Sequence, residues 1–345
     1  MNMTVNSLRP AGLMAIDREM ARQHGDALAS FENAGETAKV IANSLKRTGR
    51  LLLLGMGGSH AVGRAMEPFY RELGVDAVAL PLSEQLNQSL PLAGRTILMT
   101  SQSGESAEVL RFLSEAGISE GSKPEDVFGL TLEAGSTMAR ILPNLVGAGG
   151  TEHAFAATRS LTVTFALHAA ILAALGEDQQ PALTLLAHPQ VPDLSTALDA
   201  MRDVSTIVTS GRRMQGVAEA IALGLTELSR LPCYSLEGGQ LRHGPMEMLG
   251  PKVGIVLFRA KEATSELVAR MARDAAQAGS PVVVFDASGE PPVDGIVSVP
   301  VTASSGMAAI FALLPAAQCF MVEFAASRVA DAGTPVRSSK ITRSE

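Results

Sequence analysis

Four consecutive leucines, Leu51 to Leu54, run directly into Gly55-Met56-Gly57-Gly58-Ser59-His60, and a helical pattern follows through Tyr70. A run apolar on both faces, stopped by glycines and succeeded by a helix, is the signature of a parallel strand buried on both sides. The plan recurs in Ala77 to Leu80, Thr96 to Met99, Val127 to Thr131 and Asn144-Leu145-Val146, each separated by helical patterns. Right-handed crossovers between such runs build a doubly wound α/β sheet whose ligand groups lie at the carboxyl ends of the strands. A second set starts at Thr206 to Gly211 and continues through the helix Gly216 to Leu231, the run Gly254 to Phe258, the helix Glu266 to Ala278 and the run Pro281 to Phe285. The repeat is one of pattern and predicts two similar domains. Gly176 to Pro192, with Glu177 to Pro181, reads as the transition between them, and Leu13 to Ser44 reads as one helical arm that packs on the body or on a second subunit.

The chain has 345 residues, 46% of them hydrophobic, enough for two full cores. Its formal charge of −7 and the absence of a dense Lys/Arg run leave no electrostatic footprint for nucleic acid, so a small solute is the expected ligand. Cys233 and Cys319 are far apart and lack metal-ligand spacing, which points to small apolar core residues rather than a disulfide or a metal site. Gly55-Met56-Gly57-Gly58-Ser59 lacks the third glycine of a dinucleotide fingerprint, so no cofactor is expected there. Met1 to Met20 contains no apolar signal region, and the apolar stretch Leu161 to Leu175 is short for a membrane span and broken by Thr162, Thr164 and His168. The expectation is a soluble cytoplasmic chain with no membrane partner.

Thr96 to Met99 leads into Thr100-Ser101-Gln102-Ser103-Gly104-Glu105-Ser106 and then into the helical pattern from Ala107. Hydroxyls placed at the unpaired N–H groups and the positive dipole end of a helix form an anion cradle, most simply for a phosphate. The competing reading is N-capping, with Glu105 completing a capping box. Capping needs one hydroxyl, and this turn carries three serines. Ser59 closes another strand at the same edge, which favours one phosphate pocket. The corresponding place in the second half holds Arg259-Ala260-Lys261-Glu262, so the cradle belongs to the first half alone.

Two residues of the second half carry proton chemistry. Glu227 lies late on an otherwise apolar helix, where partial desolvation would raise its pKa toward that of a base working near neutrality; the alternative is a carboxylate on the solvent face. His243 lies in the glycine-flanked stretch Gly238 to Pro245, read as a loop without regular structure, where a histidine is either a proton-transfer group or merely exposed.

Ser101 to Ser106, Thr151-Glu152 through Thr158-Arg159, Gly239 to Pro245 and the terminal Ser339 to Glu345 together resemble, in order and over nearly the whole chain from about residue 40, the sugar isomerase (SIS) family. The likeness is nearest to the isomerase half of glucosamine-6-phosphate synthase and to related aminosugar-phosphate deaminases, deglycases and isomerases. It implies two tandem SIS subdomains, each a doubly wound five-stranded parallel sheet flanked by helices, in homodimers with shared active sites. The divisions it implies are an arm at 1–45, a phosphosugar-binding domain at 46–185, a second domain at 186–327 with the catalytic Glu and His, and a tail at 328–345 closing over the site. Carried over by position, Ser59, Ser101, Gln102, Ser103 and Ser106 hold the phosphate and nearby sugar hydroxyls, and Thr158 lines the sugar pocket. Glu227 moves a proton between C1 and C2, His243 of a neighbouring subunit assists ring opening, and Lys340 lies against the open-chain sugar.

Three positions depart from the family pattern: Gly224 for a helix lysine, Gly58 for a threonine and Ala157 for a serine. No Cys nucleophile follows Met1 and no glutaminase stretch precedes residue 40, so the expectation is a chain that does not itself release ammonia from glutamine. The expected substrate is a hexose or hexosamine 6-phosphate that is deaminated and isomerised without a cofactor or metal. A plain aldose–ketose isomerase, a deglycase for a sugar-amine adduct and a sugar-phosphate sensor are the alternatives.

Overall fold

A computed structural model describes residues 9–343 apart from 88 and 123. The apolar runs form two five-stranded sheets in which every neighbouring pair is parallel. The first contains β1 (Arg50–Gly55), β2 (Asp76–Pro81), β3 (Thr96–Thr100), β4 (Val127–Thr131) and β5 (Asn144–Val146), in the order β2-β1-β3-β4-β5. The second contains β6 (Thr206–Ser210), β7 (Cys233–Ser235), β8 (Val253–Ala260), β9 (Val282–Ala287) and β10 (Val297–Pro300), in the order β10-β9-β8-β6-β7. Counted from its own first strand, the second sheet has the same order as the first read from the other edge. The central strands β1, β3, β4, β8 and β9 are buried almost end to end because helices cover both faces.

The reading that ran Leu13 to Ser44 as one helix needs correction. Two helices, Ala11–Asn33 and Gly35–Thr48, meet at Ala34, whose N–H bonds Phe31 O instead of the carbonyl four residues back. The arm packs on the body through Arg159, a fully buried guanidinium that pairs with Glu19 (2.7 Å) and Asp26 (3.1 Å) and donates to Gly150 O (2.7 Å). The stretch from Gly176 to Pro192, expected as the transition between the halves, contains the helix Gln180–Ala187. Among the described residues, Gly306–Ala326 is the helix long and apolar enough to cross a membrane, and 89% of its apolar window is buried inside the fold. Core burial therefore accounts for its hydropathy. Cys233 is buried and Cys319 half-buried.

The two sheets are joined by close packing of Gly58–Glu72 on Gln215–Ser229. A Cβ at Gly216 would lie 2.1 Å from Ala65 N and 2.5 Å from Ala61 O, so glycine is what lets these helix backbones meet. That contact brings the helix bearing Glu227 toward the carboxyl edge of the first sheet.

Candidate active site

A cleft of about 380 Å³ opens at that edge, within the roughly 300–1,000 Å³ usual for small-molecule sites. Ser59, Ser101, Gln102, Ser103, Ser106, Glu227 and Lys340 all line it, drawn from both halves of the chain and from the tail. The two hydroxyl-bearing turns read from the sequence thus share one pocket.

The turn after β3 is held by its own serines and does not cap the helix that follows through its side chains. Ser101 Oγ accepts from Gly104 N–H (3.1 Å), and Ser103 Oγ accepts from Glu105 N–H (3.2 Å). Each hydroxyl proton stays available to a ligand, since a hydroxyl accepts and donates at once. Gly104 has φ +62°, and a Cβ there would fall 2.2 Å from Ser136 Oγ, so the turn demands glycine. The capping-box reading fails: Ser106 occupies the N-cap of Ala107–Glu115 without a side-chain cap bond, and Glu105 accepts instead from Thr137 N–H and Thr137 Oγ1. The N–H of Ala107 is met by Thr342 O of the tail at 3.0 Å. Ser59 sits in the first turn of Gly58–Glu72, giving the cleft a second helix start.

Glu227 is half-buried and faces the cleft rather than open solvent. Burial pushes its carboxyl up to about 7; Lys340 pulls it down and Glu152 adds to the rise. Lys340 Nζ donates to Glu152 Oε2 at 3.0 Å and to Phe155 O at 3.3 Å. Glu108 lines the same cleft from the first turn of its helix. A base is competent only when ionised, so any rate that uses Glu227 is expected to rise with pH through about 7 and to fall below it. A profile of kcat/KM against pH checks this; an acid limb near 4.5, the ordinary carboxylate value, would remove Glu227 as the base.

Two expected site residues lie elsewhere. Thr158 is fully buried and does not line the cleft, because its N–H and hydroxyl both donate to Glu152 Oε1, at 3.0 and 3.2 Å. Ser160, two residues on, reaches the cleft in its place. His243 is exposed and is not among the cleft-lining residues of its own chain. The stretch around it is also more regular than expected: Gly238–Arg242 is a short helix whose N-cap Glu237 accepts from Gly239 N–H (2.7 Å) and Gln240 N–H (3.2 Å), followed by a 3-10 turn at Pro245–Met248. An acceptor at the N-cap gives glycine-rich residues a helical start that composition alone does not favour.

The departures sort by position. Gly58 and Ala157 line the cleft and widen it, a Cβ at Gly58 meeting only Leu161 and Ala157 at 3.3 and 3.6 Å. Gly224 points away, where a Cβ would lie 2.2 Å from Met321 Sδ, so a lysine cannot stand there without displacing that side chain. Sequence pattern alone does not mark Glu152, because a carboxylate seven residues ahead of the helix Arg159–Leu175 has no local reason to be buried. Among the described residues, no group of three or more His, Cys, Asp and Glu is placed to hold a metal.

No family model matches the chain. The glutamine--fructose-6-phosphate aminotransferase [isomerizing] of Streptococcus pyogenes serotype M3 is 28% identical over 268 residues, which cover 70% of this chain and 43% of that protein. The chain thus spans less than half the length of the curated relatives it matches. Among solved structures, the C-terminal domain of glucosamine-fructose-6-phosphate aminotransferase from Francisella tularensis superposes with a TM-score of 0.74 at 16% identity, covering 93% of this chain and 98% of that one. Glucosamine-6-phosphate deaminase from Thermotoga maritima does so with a TM-score of 0.72 at 20% identity, covering 95% and 99%. Both show that the chain has their fold.

Proposed function

We propose, starting from the chain's resemblance to the sugar isomerase family, that it is a phosphosugar enzyme of aminosugar metabolism, converting a hexosamine 6-phosphate such as glucosamine 6-phosphate to fructose 6-phosphate and ammonia. The two like-ordered sheets are then tandem, doubly wound sugar isomerase subdomains, and the protein is cytoplasmic. One observation carries the reading: a carboxylate whose pKa burial raises shares a cleft with a lysine and with a hydroxyl turn left uncapped by its own side chains. The turn holds the phosphate. Glu227 takes the proton from C2 of the open-chain aldose and returns it to C1, leaving an imine at C2. Water then adds to that carbon and ammonia leaves, giving the ketose. The Lys340 cation faces the oxygen on which charge develops as the proton moves.

Purified protein with a panel of hexose and hexosamine 6-phosphates, assayed for ammonia and ketose, tests this. Both products from glucosamine 6-phosphate are expected in equal amounts. Ketose without ammonia makes the chain an aldose–ketose isomerase, release of another amine a deglycase, and binding without turnover a sensor.

His243 reaches this chemistry only from a second copy, so a homodimer with shared sites is part of the reading. Mixing a Glu227→Gln chain with a His243→Ala chain is expected to restore activity that neither has alone, since one site of each heterodimer keeps both groups. A fully active monomer at sedimentation equilibrium removes His243 from the mechanism.

A further inference from the structure

We infer that Glu152 is the positioning residue of this site, the group that fixes the Lys340 amine, and with it the tail, over the cleft. The inference rests on the proposed function for its kinetic consequences but not for its geometry.

Glu152 has no exposed surface, and a carboxylate removed from water needs partners. It has five hydrogen bonds. Oε1 accepts from Thr158 N–H (3.0 Å), Thr158 Oγ1 (3.2 Å) and Ser160 N–H (3.3 Å). Oε2 accepts from Ser160 Oγ (2.6 Å) and Lys340 Nζ (3.0 Å). Thr158 is the N-cap of the 17-residue helix Arg159–Leu175 but makes no side-chain cap bond, so Glu152 caps that helix from six residues upstream, where its charge meets the positive dipole end. Four of the five bonds tie the carboxylate to this rigid helix start. The fifth is spent on a tail residue 188 positions away in sequence. Its main-chain carbonyl adds a further tie, accepting from Gln102 Nε2 of the cradle turn at 3.2 Å. A buried, fully oriented anion is thus aimed at the one amine that shares the cleft with Glu227. For capping alone, the oxygen facing the tail would need no cation.

Limited acylation with acetic anhydride at fixed pH, read by mass spectrometry, tests the geometry without substrate. In the wild-type protein Lys340 is expected to react far more slowly than the exposed Lys39, and Glu152→Gln is expected to raise the Lys340 rate about fivefold or more relative to Lys39. Kinetically, Glu152→Gln is expected to lower kcat about tenfold or more with KM within about twofold, and to add less than about twofold in a Lys340→Met background, because a residue acting through another is non-additive with it. Unchanged acylation, or additive losses in the double variant, overturns the inference. If acylation rises while wild-type protein turns over no sugar phosphate, the positioning role stands and the proposed function falls. Should Glu152→Gln fail to fold, Lys340→Met answers instead: stripping the cation from a buried carboxylate lowers the melting temperature, whereas Lys39→Met does not, and equal melting temperatures overturn the ion pair.

Discussion

Glu227→Gln is expected to lose about a hundredfold or more in turnover, the scale of a positioned acid–base group, while sugar-phosphate affinity changes little. The amide keeps the shape of the carboxyl and removes only its ability to accept and return a proton. On the free-energy scale a hundredfold is about 2.7 kcal/mol of transition-state stabilisation, which one well-placed base supplies. The proposed phosphate cradle lies on separate elements, the turn after β3 and the start of Gly58–Glu72, so binding has no reason to follow the loss. Wild-type protein working in deuterated water is expected to incorporate solvent deuterium at C1 or C2 of its product, and only partly, because the carboxylate is half-buried and shields the proton in transit. Normal turnover by the Gln variant would make Glu227 a structural carboxylate.

Ser101→Ala with Ser103→Ala is expected to weaken binding of any sugar 6-phosphate by about 3–6 kcal/mol, from about 1.5–3 kcal/mol for each charge-assisted hydrogen bond. Both serines are buried and hold the N–H groups of Gly104 and Glu105, so the double change removes two donors to the phosphate and also loosens the turn that aims them. Isothermal titration with glucose 6-phosphate and with glucose separates the two terms: the phosphate ester loses affinity and the free sugar, bound weakly at the start, is little affected. Equal affinity of the wild-type protein for the two ligands would rule out a phosphate cradle at this turn.

Local sequence determined most of the scaffold. A strand buried on both faces must be apolar at every position, so β1, β3, β4 and β8 are legible as runs such as Leu51 to Leu54. The hydroxyl turn is legible for a similar reason, since strand, turn and helix start are contiguous in residues 96–107 and need no distant partner to be recognised. The short edge strands β7 and β10 carry no such run; Cys233-Tyr234-Ser235 becomes a strand only because β6 offers it a ladder.

What tertiary structure alone decided is the set of contacts between residues far apart in the chain. A helical pattern cannot say which face of Gln215–Ser229 meets a cleft, and the answer came from the close approach at Gly216 that turns Glu227 toward the first sheet. It also cannot say which acceptor a hydroxyl will find, so Thr158, matched by position to the sugar pocket, turned inward to Glu152. Glu152 belongs to a stretch that the family resemblance singles out, but nothing local gives it a role of its own. Its burial is offset by the helix start at Thr158 and Ser160 and by Lys340, 188 positions away, whose counter-charge only the folded chain can bring within 3.0 Å, and no local pattern encodes that distant part of the compensation.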